Sequence, residues 1–377
     1  MSIRQGAPSS VLIVLFGAIG DVVKALPLAG RIKSAWPETK LAWAIEPKSK
    51  DLLIGHPYVD EVFVFERPKG MAAYVEFLQK IRSRRFELVL DLQRHIKSGF
   101  TSWATGAKTR IGFNPKNAKE FNWIFNNEYI PRADDSLAKI DHYQKFGDLL
   151  GLPEPERLDF GFQFTKCEED KVDLLLSECR ARLAPDADFS WDKSVAFIIG
   201  AAWESKQWFP DYYARLVSEL FNRWGLFSIL VGHTGERRLA DEIYKCLDIG
   251  EPSEGRVHTQ RYAAMDLVGK LSLKELGSLF SKLRFAIGSD TGPTHLAAAV
   301  GLPVISLWGA TSHYRSAPYG SEHLVLAASV DCSPCYLRQC PGLGRICLRK
   351  ITPEVVITQA ELLLTNHSTR SEIKAHS

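Results

Sequence analysis

The chain has 377 residues, of which 45% are apolar and 24% charged, and a net charge of +3. That length exceeds what one hydrophobic core usually supports and predicts two domains of ordinary size. The balance argues against a disordered chain, no apolar run reaches the roughly 18–20 residues that cross a bilayer, and so small a charge gives no ground for a nucleic-acid partner.

Val11–Phe16 reads as a buried strand and Val22–Trp36 as a helix closed by Pro37. The run Val11–Gly20 has the look of a signal-peptide core, but Asp21 and Lys24 follow it without a small-residue cleavage site, so a cytoplasmic protein is expected. Lys40–Ile45, Val62–Phe65, Leu88–Leu92 and Arg110–Phe113 read as further strands, with a helix over Met71–Arg82. Asp135–Leu150 predicts a helix stopped by Gly151 and Pro153. A short strand near Phe160–Phe164 and a polar helix near Glu168–Leu183 follow.

The alternation then restarts. Val195–Gly200, Phe227–Gly232, Phe285–Ser289 and Val304–Trp308 read as strands. Pro210–Trp224, Gly235–Leu247, Leu273–Lys282 and Pro293–Val300 read as helices. This rhythm predicts an α/β protein of two doubly wound, parallel-sheet domains facing each other, with ligands at the carboxyl ends of the strands. The expected layout is a first domain over 1–166, a linking region over 167–185 and a second domain over 186–352. A last helix over 353–365 is expected to pack back on the first domain, and Asn366–Ser377 to be mobile.

Four features carry chemistry. In Phe285–Gly309 (FAIGSDTGPTHLAAAVGLPVISLWG) a strand runs through Asp290, Thr291 and Gly292 into a helix with Pro293 in its first turn. Such a turn presents unpaired N–H groups at the positive end of the helix dipole and suits a diphosphate. Thr291, Thr294 and His295 border the same mouth, although a threonine there also serves as an ordinary helix cap. Secondly, Asp21 follows Gly17-Ala18-Ile19-Gly20, where it is either a first-turn acid held by the dipole or a catalytic carboxylate. The spacing is not that of a dinucleotide fingerprint, which weighs against an NAD-dependent oxidoreductase.

Thirdly, ten Lys/Arg lie between Lys80 and Lys119, against two acids, Glu87 and Asp91. This segment is either a solvated face or a field for anionic glycolipid and the inner-membrane surface. Fourthly, Cys332, Cys335, Cys340 and Cys347 cluster; Cys-x2-Cys is a reasonable zinc half-site, but the second pair has unusual spacing, so no metal or other cofactor is expected.

The string SDTGPTHLAAAVGLPVISLWGAT resembles the nucleotide-sugar signature of glycosyltransferase family 9, the bacterial lipopolysaccharide heptosyltransferases. The opening LIVLFGAIGDVVKALPLAGRIKSAWP, LDLQ at Leu90–Gln93, RIGF at Arg110–Phe113, KQWFPDYYARL at Lys206–Leu216, the segment Cys332–Cys347 and ITPEV at Ile351–Val355 resemble the same family in order, over nearly the whole chain. The resemblance implies the GT-B fold, with two Rossmann-like domains, and inverting, metal-independent transfer of heptose from ADP-heptose to a lipopolysaccharide inner-core acceptor.

It implies Asp21 as catalytic base and Lys206 as the cation on the leaving diphosphate, where the residue alone would read as a solvent-facing lysine. The donor is expected at Thr291, Gly292, Thr294 and His295 in the second domain, with Glu236 accepting from the ribose and Asp290 orienting the turn. In this fold the first domain holds the acceptor; Arg94, His95 and Lys97, with Lys116 and Lys119, are its expected anionic contacts. The competing readings are transfer of a different nucleotide-activated sugar and a nucleotide-binding module without turnover.

Overall fold

A computed structural model describes residues 6–181, 189–249 and 263–375. The chain divides into two compact units, one reaching Gln163 and including Tyr314–Ser316, the other formed by the remainder from Phe164 onward.

In the first unit, β1 (Ser10–Val14), β2 (Lys40–Ile45), β3 (Glu61–Val64), β4 (Leu88–Asp91), β5 (Thr109–Gly112) and β6 (Glu128–Tyr129) form one sheet in the order β3-β2-β1-β4-β5-β6. Every pairing is parallel, with Val11 opposite both Leu41 and Leu88. β1, β2 and β4 are apolar on both faces because helices cover both, which is why they read as continuous runs rather than alternations. The second unit repeats the plan. β7 (Ser194–Ile198), β8 (Phe227–Val231), β9 (Ala264–Asp266), β10 (Phe285–Ser289), β11 (Val304–Trp308) and β12 (Val325–Ala327) run β12-β11-β10-β7-β8-β9, again all parallel. Strand order reverses between β1 and β4 in one sheet and between β7 and β10 in the other. Ligands of doubly wound sheets lodge beyond the carboxyl ends at such switch points.

Several expectations need correction. The helix Ile19–Ala35 begins three residues earlier than expected, so Asp21 lies inside its first turn. The helix Lys139–Leu149 begins four residues later, because the Asp134 carboxylate takes the Ser136 N–H (2.7 Å) and hydroxyl, holding a turn there. Phe160–Phe164 forms no strand; the Phe160 carbonyl instead pairs with His56 Nε2 at 3.0 Å.

The stretch expected to link the domains is a helix of the second unit, Lys166–Arg180, started by a Thr165/Glu168 capping box. It buries Val172, Leu175 and Cys179 and packs on the helix Leu273–Phe280. Residues 182–185 of that expected linker lie outside the described residues.

The final helix, Pro353–Ala375, belongs to the second unit rather than packing back on the first. Val356, Ile357, Ala360 and Leu363 enter the core beside Tyr213 and Leu216, and Trp208 Nε1 donates to the Ile351 carbonyl at 3.0 Å. It also continues to Ala375, through most of the segment expected to be mobile; residues 376–377 lie outside the described residues.

Candidate active site

In the second unit the chemistry gathers where β7, β8 and β10 end. The helix Gly292–Ala299 follows β10 with Pro293 in its first turn, and Thr291 stands at its cap position without a side-chain capping bond. The Thr291 hydroxyl pairs with Thr294 Oγ1 at 3.1 Å, and Thr294, fully buried, donates to the Ser289 carbonyl at 2.7 Å. Gly288 makes room for this: a Cβ there would meet Ile198 Cβ at 2.8 Å and Thr294 Oγ1 at 3.1 Å. The two threonines therefore brace the turn, while the first-turn N–H groups face the mouth at the positive end of the dipole.

Lys206, in the short 3-10 turn Glu204–Lys206 after β7, reaches this turn. Its Nζ lies 2.6 Å from Asp290 Oδ2 and 4.4 Å above the Trp203 ring, with both ion-pair partners only 15% exposed. Thr311 donates to the same carboxylate at 2.8 Å, and His295 Nε2 stands 3.4 Å from its other oxygen. Asp290 is thus the hub that ties the cation, the helix start and the loop after β11 together.

Glu236 projects from the turn after β8 across the end of β7. A Cβ on Gly200 would lie 2.3 Å from Glu236 Cγ and Cδ, so only glycine lets the carboxylate rest there. Its Oε2 is buried and has no hydrogen-bond partner among the described residues. A buried acceptor left open in this way is an energetic liability unless a ligand donor fills it.

The four clustered cysteines are free thiols lining one apolar pocket with Gly309 and Leu343. Burial pushes the Cys347 thiol pKa up, and Cys332 and Cys335 add to it. No group of three or more His, Cys, Asp or Glu is arranged to hold a metal ion among the described residues. This segment instead props the loop carrying Lys206. Ser205 Oγ donates to the Leu337 carbonyl (2.5 Å), Cys340 N to Glu204 Oε2 (3.1 Å), and Arg345 pairs with Glu204 (3.0 Å) while lying over Phe209.

In the first unit, Asp21 sits just beyond β1, with Lys139 Nζ 2.6 Å from its Oδ1 and both side chains 27% exposed. Gly17 permits the approach, since a Cβ there would meet Asp21 Cβ and Oδ2 at 3.2 Å. Arg94 follows β4 in a left-handed conformation (φ 69°), lies over the Phe113 ring at 5.1 Å and donates to the Asn117 carbonyl at 3.1 Å. Burial lowers its pKa, while Asp135 and Asp21 pull it back up. Tyr143, one turn after Lys139, is buried, and its hydroxyl has no hydrogen-bond partner among the described residues. Its pKa is driven well up by burial and then by the Asp21 charge, so it is a neutral donor beside a carboxylate.

The three expected acceptor contacts do not converge. Arg94 shares the neighbourhood of Asp21, whereas His95 turns outward to the exposed Glu120 at 3.2 Å. Lys97 lies over the Phe65 ring at 4.8 Å, where burial lowers its pKa, and Lys116 and Lys119 are exposed.

Sequence reasoning missed Lys139, Tyr143 and Thr311. The first two are spaced four apart on one helix and carried a face signal; nothing local tied them to Asp21. Thr311 lies in the quoted signature, but only folding brings it to Asp290.

Two doubly wound parallel sheets, each with charged groups at its switch point, define a two-domain α/β fold of the GT-B type. Solved structures agree on the fold. A glycosyl transferase family 9 protein from Veillonella parvula superposes with a TM-score of 0.78 at 18% identity, covering 97% of this chain and 100% of that one. Escherichia coli heptosyltransferase WaaC, solved with ADP-2-deoxy-2-fluoro heptose, gives 0.67 at 20% identity, covering 93% and 99%. In sequence, the lipopolysaccharide core heptosyltransferase OpsX of Haemophilus influenzae is 24% identical over 329 residues, 85% of either chain. Residues 74–344 match the profile of glycosyltransferase family 9 (heptosyltransferase), and the chain belongs to that family. It is a glycosyltransferase.

Proposed function

We propose that this enzyme transfers heptose from ADP-heptose to an inner-core lipopolysaccharide acceptor, with inversion and without a metal ion, at the cytoplasmic face of the inner membrane. The observation that carries the reading is the braced turn Asp290–His295 with Lys206 locked to it. The combination offers amides and a cation to a diphosphate, and the names of the relatives point to ADP-heptose as its source. The second unit then holds the donor, with Thr291, Gly292, Thr294 and His295 forming the phosphate mouth. Glu236 accepts from the ribose hydroxyls through its open Oε2.

In the first unit Asp21 takes the proton of the acceptor hydroxyl as that oxygen bonds to the anomeric carbon and ADP departs. Lys139 fixes the orientation of the carboxylate, and Lys206 offsets the charge growing on the diphosphate. Arg94 meets an anionic group of the acceptor. Metal independence is supported by the makeup of the phosphate mouth: its acid, Asp290, is engaged by Lys206 and Thr311, and its charge carrier is an ammonium.

The test is incubation with ADP-heptose and truncated lipopolysaccharide cores, with mass analysis of the acceptor and anomeric assignment of the product, with and without EDTA. Transfer should survive EDTA. Asp21→Asn should keep donor affinity and lose about 10²–10⁴-fold in kcat. Near-normal turnover by that variant would remove Asp21 from the role, and preference for GDP- or UDP-sugars in a donor panel would favour a different sugar.

A further inference from the structure

The segment rich in Lys and Arg carries something its composition alone did not show. Helix Ile96–Ala104 presents Ile96 and Trp103, seven residues apart and so on one face, and Trp103 is 52% exposed. Phe100 lies beneath them, its ring 5.5 Å from Trp103 and 5.9 Å from Phe125 of the 3-10 turn Asn122–Phe125. Helix and turn are pressed together: Asn122 Nδ2 donates to the His95 carbonyl at 2.8 Å, and a Cβ on Gly99 would lie 2.8 Å from the Asn122 carbonyl oxygen. On that turn Trp123 and Ile124 are exposed. Phe121, just before it, is 72% exposed and left-handed (φ 56°), an unusual backbone state for a bulky side chain. Five large apolar side chains thus stand out from two adjoining elements.

Cations flank them along the chain. Arg82, Arg85, Lys108, Lys116 and Lys119 are exposed on the flanking segments. Acids within the basic stretch are outnumbered ten to two; Asp91 is fully buried and bonded to Asn122, and Glu87 is bonded to Ser9. Glu120, just outside it, is engaged by His95 and the Ile96 N–H. Aromatic and aliphatic tips on a segment rich in exposed Lys and Arg match the layered chemistry of a membrane interface, with rings at headgroup depth and ammonium groups on lipid phosphates. A protein partner fits less well, because the cores of protein interfaces are depleted in Lys.

We infer that this face, built by Ile96, Trp103, Phe121, Trp123 and Ile124 with the flanking cations, docks the enzyme on an anionic lipid bilayer. The inference rests on the proposed reading only in supplying a reason to visit a membrane. The helix begins directly after Arg94 and His95, so docking brings the carboxyl edge of β4 to the headgroup layer, where a glycolipid acceptor would be presented.

The experiment is co-sedimentation of the full chain, without donor or acceptor, with vesicles of phosphatidylglycerol and phosphatidylethanolamine or of phosphatidylcholine alone. Binding to the anionic vesicles is expected, weakened about tenfold or more by 0.5 M salt and by the variant Phe121→Ser/Ile124→Ser. Trp103→Ser should weaken it separately. Unchanged melting temperature and unchanged transfer to a water-soluble acceptor would show that the variants fold and that the catalytic reading stands apart. Absence of vesicle binding by the unmodified chain, or equal binding by the variants, overturns the inference. So does a dimer that these substitutions dissociate, which would assign the face to a second copy of the chain.

Discussion

Gly200→Ala is the sharpest probe of how the sheet edge sets donor recognition. The backbone at Gly200 does not need a left-handed conformation, so alanine brings no torsional strain of its own. Its methyl group, however, would lie 2.3 Å from Glu236 Cγ and Cδ and 2.5 Å from Oε1. Ordinary carbon contacts are about 3.5–4.0 Å, so the carboxylate must withdraw by more than an ångström. Glu236 is only partly buried and can swing outward, so the fold should tolerate the change. The donor should not. A hydrogen bond to a charged group contributes about 1.5–3 kcal/mol, which predicts roughly 10–150-fold weaker ADP binding by calorimetry. Glu236→Ala should produce a similar loss. In the double variant the losses should not add, because each removes the same contact. Additive losses, or Gly200→Ala binding ADP like the unmodified enzyme, would refute the reasoning.

Two further outcomes follow from the first unit. Tyr143→Phe removes a buried hydroxyl that has no hydrogen-bond partner among the described residues, so thermal unfolding should show equal or higher stability, by about 1 kcal/mol. If that hydroxyl donates to the acceptor, the same variant should raise the acceptor KM while leaving ADP affinity alone. His142 is buried, and burial with the Arg94 charge lowers its pKa from the ordinary 6.5. Between 6.5 and its lower folded value the unfolded chain holds a proton that the folded chain does not. Stability therefore falls as pH drops through that window, by up to about 1.4 kcal/mol per unit, and denaturant melts of His142→Gln should show a flatter acid limb.

Much of the fold was legible because its strands are covered on both faces. Val11–Phe16 and Phe285–Ser289 announce themselves as unbroken apolar runs, each leading through glycine into a helix. The strands Glu128–Tyr129, Ala264–Asp266 and Val325–Ala327 went unread, since two or three residues carry no periodicity and exist as strands only through their neighbours. The helix Ile96–Ala104 was also missed, because its short sequence mixes Ser, Gly and Thr with aromatics and its apolar face is partly exposed.

The sequence by itself determined the two-unit α/β plan and the phosphate turn at Asp290–His295, because apolar runs and strand-to-helix turns are local properties, whereas Asp21 as base and Lys206 as the diphosphate cation entered only through the family resemblance. Only the tertiary structure decided that Lys206 grips Asp290, that Lys139 grips Asp21, that the cysteine segment braces a loop, and that the last helix packs in the second unit. Those are contacts between side chains dozens to more than a hundred positions apart, and nothing in a residue's own neighbourhood records which distant partner folding will bring to it.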